Sequence, residues 1–299
     1  MDIRTQSIGR GLTWLAHAIN VGGRNPGAVF GAAFLFIVAM YLAALLGMLP
    51  LLLTVDREAL PETGALLFRM LPMALLVLCL VPVLFGGLMH VVREADASRP
   101  VRARDIFAPW REGKVGKLAL LGLVQVVFAL FAVLMLRWLE GPNYWHDYMA
   151  ALRSAIGGTF RVMPGPEHPG LLLLAQLLFN YFSYSIMLFS IPLVMFSGVP
   201  LKDAVRLSLR SAIRNAGPCL LTGVLFIAGS IAAAALMLVL VGVAGVLGAL
   251  IHPIVAGMLE LVLMLAFSVA LLAVVASVTH AAWRDIFWAD AGSVAEFAA

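Results

Sequence analysis

Charged residues are scarce in this sequence. Asp, Glu, Lys and Arg make up 12% of its 299 residues, about half the share found in an ordinary soluble domain, and the mean hydropathy is +1.01. This composition excludes a soluble globular domain. The net charge of +4 would also suit a nucleic-acid-binding protein. However, the basic residues cluster between long apolar runs, which is typical of a topology signal, so we expect no nucleic acid partner.

Cysteine and catalytic motifs are equally sparse. The two cysteines, Cys79 and Cys219, both lie in apolar runs, so we expect neither a disulfide nor a metal site. We find no nucleophile–base arrangement, phosphate loop or metal-ligand spacing. His90 and His280 lie near corresponding ends of two apolar runs, where a plain interfacial role is more common than haem or metal binding. We therefore predict no catalytic residues, no cofactor and no enzymatic activity.

Six apolar runs are long enough to cross about 30 Å of hydrocarbon. They predict an all-α polytopic membrane protein, with one integral domain over 1–299 and six transmembrane helices arranged as three hairpins. Because the first run is too long for a signal-peptide core, we expect no cleavage. The runs cover approximately 28–53, 65–92, 118–136, 171–196, 219–241 and 253–281.

The segment between the fourth and fifth runs predicts a surface helix. One stripe at helical spacing is apolar and the adjacent stripe is cationic, and Asn215-Ala216-Gly217-Pro218 predicts the end of the helix. Such a helix suits the lipid headgroup layer; a solvated connector is the alternative. The apolar stripe is Leu201, Val205, Leu209 and Ile213, and the cationic stripe is Lys202, Arg206, Arg210 and Arg214.

A second amphipathic helix is predicted before the first run. Ile8, Leu12, Leu15 and Ile19 form its apolar face. The segment Gly22-Gly23-Arg24-Asn25-Pro26-Gly27 predicts the end of this helix. Arg10 on its polar face and Arg104 after the second run complete the candidate set of lipid-headgroup ligands. Tyr144 and Tyr148 predict a further surface helix in 137–168.

Loop charges predict the orientation of the chain. Basic residues dominate 93–117, 199–215 and the N-terminal segment, whereas 54–64 is acidic and 137–168 is balanced. Because basic loops stay in the cytoplasm, both termini should be cytoplasmic.

Three similar tetrads predict an internal repeat. Arg104-Asp105-Ile106-Phe107, Lys202-Asp203-Ala204-Val205 and Arg284-Asp285-Ile286-Phe287 each follow an even-numbered run. They indicate hairpin repeats over 5–92, 100–198 and 199–287, each beginning with a surface helix. The alternative is that membrane exits share loop chemistry without duplication.

These features resemble a group of bacterial inner-membrane proteins, similar to the six-span domain attached to some glycerophosphodiester phosphodiesterases. The resemblance lies in Gly87-Leu88 leading to Arg93, Asp105-Ile106-Phe107, Ala204-Val205-Arg206-Leu207-Ser208 through Asn215, and Trp283-Arg284-Asp285-Ile286-Phe287. The phosphodiesterase catalytic domain has no counterpart here. The resemblance therefore implies a fold and a location in the bacterial inner membrane, and no activity.

Polar residues inside the runs are the remaining candidates. Glu260 lies about two turns inside the sixth run, where a carboxylate is costly and often functional. We expect a structural role, with Arg69 or Arg137 within salt-bridge or water-bridged reach of Glu260. Snorkelling to the interface and a transport role are the alternatives. The fifth run is rich in small residues, which let helices approach closely in lipid, so we expect this helix at the centre of the helix bundle. Gln125 in the third run, and Gln176, Asn180 and Tyr184 on one side of the fourth, either bond between helices or line a cavity.

The sequence thus indicates a non-enzymatic membrane component that binds lipid, with anionic headgroups as the candidates, or a membrane-protein partner. A small-molecule transporter with a path near the fourth and sixth runs is the alternative. An intramembrane enzyme acting on lipid is the third class.

Overall fold

The computed structural model describes residues 3–54, 63–156, 159 and 161–287. Helices make up 87% of the structure, the described part contains no strand, and six helices are long and apolar enough to cross a membrane. The predicted class, an all-α polytopic membrane protein, is confirmed. The acidic residues Asp56, Glu58 and Glu62 and the pair Gly157-Gly158, which should end the surface helix predicted in 137–168, lie outside the described residues.

Six long helices form three hairpins: α2/α3, α5/α6 and α8/α9. Gly141, with a φ of 76°, interrupts α5, so that the spanning segment ends there and a surface segment with Tyr144 and Tyr148 follows. The elements are α1 (Arg10–Arg24), α2 (Pro26–Thr54), α3 (Thr63–Asp96), a 3-10 helix (Ala103–Phe107), α4 (Ala108–Arg111), α5 (Val115–Ile156), α6 (Pro169–Phe196), α7 (Leu201–Arg214), α8 (Ala216–Ala249) and α9 (Pro253–Phe287).

Pro26 and Pro218 each lie in the first turn of a helix. α7 ends at Arg214, and Gly217-Pro218 belongs to the first turn of α8 and not to the end of α7. In the same way α1 continues through the glycines to Arg24, and Pro26 begins α2. Proline is tolerated in the first turn of a helix because its missing N–H would have no intrahelical acceptor there. The second hairpin is preceded by the 3-10 helix and the short α4 instead of a long surface helix.

The core lies at one end of the molecule. Buried side chains from the last turns of α3, α6 and α9, including Leu88, Met195 and Trp283, pack together with residues at the start of α2 and α5. We call this the basic end, because Arg24, Arg93, Lys114 and Arg284 also lie there. Toward the opposite end, apolar side chains are exposed, as is typical of lipid-facing surfaces; they include Tyr41, Phe68, Leu178, Leu247 and Leu261.

The surface elements pack in a cyclic order. α1 lies on α8 and α9, the 3-10 helix lies on α2 and α3, and α7 lies on α6, so each element covers the hairpin before its own. α3, α6 and α9 contact one another at the centre. Three repeated hairpins would produce such an order, although shared packing does not demonstrate duplication and the repeat stays a prediction.

The central position predicted for the fifth span is wrong. α8 lies at the periphery, and no residue in its most apolar window is buried. Its small residues Ala228, Gly229 and Ala232 are exposed. Small side chains permit close packing in lipid but do not enforce it. α8 uses them only locally: a Cβ on Gly248 would approach Ala256 of α9 to 2.5 Å.

Candidate functional site

Small residues form the face of α7 that packs against α6. The side chains on this face are buried: Ala204, Ser208, Ser211, Ala212 and Asn215. Ser208 and Ser190 share a hydrogen bond of 2.9 Å, and the Tyr181 hydroxyl donates to the carbonyl of Ala212 at 2.7 Å. Successive turns of α7 therefore meet earlier turns of α6, and α7 folds back along α6. The sequence prediction described two stripes on this helix and missed this third, buried one.

Much of the remaining surface of α7 is exposed, although Leu201, Val205 and Leu207 are half-buried and pack against the core. Lys202, Arg206, Arg210 and Arg214, which we call the cationic ridge, are all exposed, and none forms an ion pair within the described residues. Asp203, which could have paired with Arg206, makes no such contact. Beside the ridge, Leu209 and Ile213 are also exposed, Ile213 at 60%. The helix thus offers positive charge next to apolar side chains.

The 3-10 helix and α4 present a similar mixture on a smaller scale. Arg104 is exposed and has no ion pair among the described residues, while Phe107 and Trp110 are partly exposed with ring centroids 5.6 Å apart. Asp105 fixes this turn by accepting the backbone N–H of Arg102 at 2.9 Å and the Arg111 guanidinium at 2.7 Å. These two donors stabilise the carboxylate and lower the pKa of Asp105 below its ordinary value.

Arg10 differs from the other headgroup candidates because it already has an acidic partner. Its Nε donates to Asp285 Oδ2 at 2.8 Å, and the Trp14 indole N–H donates to the same oxygen at 2.8 Å. The charge of Arg10 is therefore balanced within the protein, although the side chain is 49% exposed. Of the six sequence candidates for headgroup binding, the ridge and Arg104 present unpaired charge, and Arg10 does not.

A second carboxylate joins α1, α3 and α9. Asp96 Oδ2 accepts from Arg284 at 2.7 Å and Oδ1 accepts from Arg24 at 3.1 Å, while His17 Nε2 lies 3.1 Å from Oδ1. His280 is buried beside this group, with Nδ1 3.9 Å from Asp96 Oδ2. The Asp96 side chain is only 5% exposed, so α1 is attached to the bundle by a nearly buried anion.

The sequence analysis missed the Asp96 group, although α1 carries a signal for it. Arg10, Trp14, His17 and Arg24 recur at spacings of four, three and seven residues and form a single helical stripe. This stripe faces two acidic side chains. The sequence analysis placed Arg10 on the polar face of the helix but assigned it no acidic partner, because Asp285 is 275 residues away in the sequence.

Glu260 does not form the predicted direct salt bridge within the described residues. No ion pair joins it to Arg69 or Arg137. Instead its carboxylate faces α8, where a Cβ on Gly245 would lie 2.5 Å from Glu260 Oε1. A direct pair with Arg137 is not formed because α5, which carries Arg137, packs mainly on α3 and α6, whereas Glu260 faces α8. A water-bridged pair stays a prediction.

The other intramembrane candidates separate into two groups. Gln125 and Ser183 bond across α5 and α6, with Ser183 Oγ donating to Gln125 Oε1 at 3.1 Å. Gln176 and Tyr184 are exposed on α6 and Asn180 is half-buried, and none of the three bonds to Glu260 among the described residues. Within the described ranges, no three metal-ligating side chains converge.

In comparisons with known proteins, no family model, no curated protein and no solved structure matches the chain. What the fold and the site define is a class, a polytopic membrane protein with six spans and an unpaired cationic surface at its basic end.

Proposed function

We propose that this protein is a non-enzymatic membrane component that binds anionic lipid headgroups through the cationic ridge of α7. The observation that carries the proposal is the contrast between ridge and surroundings. Arg10, Arg24, Arg111 and Arg284 are all matched by acidic side chains, whereas none of the four ridge residues has an acidic partner in the part of the chain that the structure describes. Near an anionic leaflet each such base contributes about 1 kcal/mol of binding free energy.

The apolar neighbours of the ridge favour a membrane surface over a soluble partner. Leu209 and Ile213 would remain in water if α7 were a solvated connector, at a cost of roughly 25 cal/mol per Å² of apolar surface. At the headgroup boundary these side chains enter the acyl region while the ridge stays among phosphates.

The location follows from the same charges. We place the basic end at the cytoplasmic face of the bacterial inner membrane, with both termini on that side, on the strength of the positive-inside rule and the family resemblance. The polar side chains of α6 are dispersed or bonded to α5 or α7, which does not favour the transporter alternative. That alternative stays a prediction.

Charge reversal tests the proposal. Wild-type protein and the variant Arg206→Glu/Arg210→Glu are reconstituted into nanodiscs that contain equal amounts of phosphatidylglycerol and phosphatidylcholine, and lipid retained after detergent exchange is counted by native mass spectrometry. We expect retained phosphatidylglycerol to fall about tenfold or more, since two bases contribute about 2 kcal/mol. The matched control is Arg137→Glu/Arg161→Glu, which reverses two exposed bases away from the ridge.

The outcome separates a specific effect from a change in total charge. If both double variants lose phosphatidylglycerol equally, net charge and not the ridge determines the lipid preference. If the ridge variant retains as much as wild type while correctly folded, the proposal is wrong.

A further inference from the structure

The outer face of α1 is apolar, although its charged side chains suggest otherwise. Ile8, Leu12 and Ile19 are between 57% and 65% exposed, while Trp14 and Ala18 are buried against the bundle. The bases of α1 are directed at Asp285 and Asp96. α1 therefore shows the membrane a nearly uncharged surface, unlike α7.

The N-terminal strap, residues 3–7, brings α1 next to the end of α7. Asn215, which caps α7 and is fully buried, accepts the backbone N–H of Gln6 at 2.8 Å and donates to the carbonyl of Arg4 at 3.1 Å. The strap is in turn fixed to α9, because Arg4 N donates to the carbonyl of Ile286 at 3.0 Å. The exposed Arg214 directly precedes Asn215, so it lies at this junction.

The start of α8 completes the junction. A Cβ on Gly217 would lie 2.8 Å from the Ile8 side chain, and a Cβ on Gly11 would lie 2.5 Å from the carbonyl of Pro218. α1 and α8 thus approach each other closely, and Thr222 Oγ1 donates to the carbonyl of Gly11 at 3.2 Å. Because α8 is the least buried spanning helix, the apolar face of α1 continues the lipid-facing surface of the protein.

We infer that the junction of α1, α7 and α8 binds one anionic phospholipid. Its phosphate pairs with Arg214, aided by Arg210 one turn earlier, and one acyl chain lies along Ile8 and Leu12. Two features support this occupant: the unpaired positive charge at Arg214, and the continuity of the apolar α1 face with a membrane-spanning helix. The inference rests on the proposed function, because it assigns one lipid position to the end of the cationic ridge.

Photo-crosslinking tests the junction directly. Two probes, phosphatidylglycerol and phosphatidylcholine with the same diazirine-bearing acyl chain, are incorporated into nanodiscs with the full-length protein, and labelled peptides are mapped by mass spectrometry. We expect the phosphatidylglycerol probe to label residues 8–12 at least fivefold more than the phosphatidylcholine probe. Arg214→Gln should reduce the labelling to the phosphatidylcholine level, while Lys202→Gln at the other end of the ridge should not.

Leu12 and Ile19 provide a matched pair on the same helix. They are similarly exposed, at 57% and 65%, but only Leu12 is near the junction. Leu12→Gln should lower the number of tightly retained phosphatidylglycerol molecules by one, and Ile19→Gln should leave it unchanged. Circular dichroism checks that both variants keep their helix content.

The results of these experiments can be distinguished from those of the charge-reversal test of the cationic ridge. Equal labelling of residues 8–12 by both probes, or equal effects of Leu12→Gln and Ile19→Gln, overturns the junction site even if the ridge variant has lost its lipid preference. If instead Arg206→Glu/Arg210→Glu has no effect but Arg214→Gln still removes the headgroup-selective labelling of residues 8–12, the ridge proposal fails and the junction stands on Arg214 alone.

Discussion

Asp96 offers the sharpest test of how α1 is attached to the membrane bundle. In Asp96→Asn the guanidinium groups of Arg24 and Arg284 would share a site without an anion. Breaking a buried ion pair costs about 3–5 kcal/mol, whereas an exposed pair contributes about 0–1 kcal/mol. The side chains of Arg24 and Arg284 are 47% and 35% exposed, so we expect an intermediate loss of about 2–3 kcal/mol in the free energy of attachment.

Cysteine labelling measures this loss locally. Ala18 of α1 is 2% exposed, so a maleimide reacts with Ala18→Cys only when α1 opens, provided that the native Cys79 and Cys219 are replaced. A loss of about 2–3 kcal/mol should raise the labelling rate by roughly 30- to 150-fold, since 1.4 kcal/mol corresponds to a factor of ten. Glu94→Gln is the control because, among the described residues, the Glu94 side chain forms an ion pair only with the exposed Arg99, at 3.6 Å. Equal labelling rates in Asp96→Asn and Glu94→Gln would refute the reasoning.

Three further predictions concern packing, pH and orientation. Gly11→Ala should lower the midpoint of thermal unfolding, because its Cβ would clash with the carbonyl of Pro218, whereas Gly9→Ala, with no atom within 4 Å, should be neutral. The contacts of Asp105 lower its pKa, so they stabilise the turn above the ordinary pKa of 3.8 and the stabilisation is lost as pH falls through the lowered value. Carbon NMR titration should place this pKa below 3.8, and raise it in Arg111→Gln. Reporter fusions at Tyr148 and Arg206 should report the outside and the cytoplasm respectively; an outside signal at Arg206 contradicts the orientation.

The sequence predicted the spanning helices well because hydrophobic length alone determines whether a helix can cross a membrane. The helix over Leu201–Arg214 was also predictable, since its two exposed stripes follow the 3.6-residue period. Both features are local: they depend on residues that are close together in the chain.

Contacts between residues that are far apart in the sequence were harder to predict. Nothing local to Arg10 or Arg24 indicates partners at Asp285 and Asp96, and a carboxylate such as Glu260 looks the same in sequence whether it faces an arginine or a glycine. The peripheral position of α8 was not predicted for a related reason. Any face of an apolar helix can contact lipid, so composition does not show which face packs against other helices.

The attachment of α1 has a consequence for the order of assembly. Arg10 precedes its partner Asp285 by 275 residues, and at about 5–20 residues per second the ribosome completes that distance in roughly 14–55 s. During this time α1 has been synthesised but lacks the anion, the strap contact and the α8 surface on which it finally rests. Its apolar face and the unpaired Arg10 are then available to the insertion machinery or to proteases. A chain truncated before α9 would contain α8 and Asp96 but would permanently lack Asp285 and the Ile286 carbonyl that holds the strap, so complete docking of α1 requires synthesis of the last span.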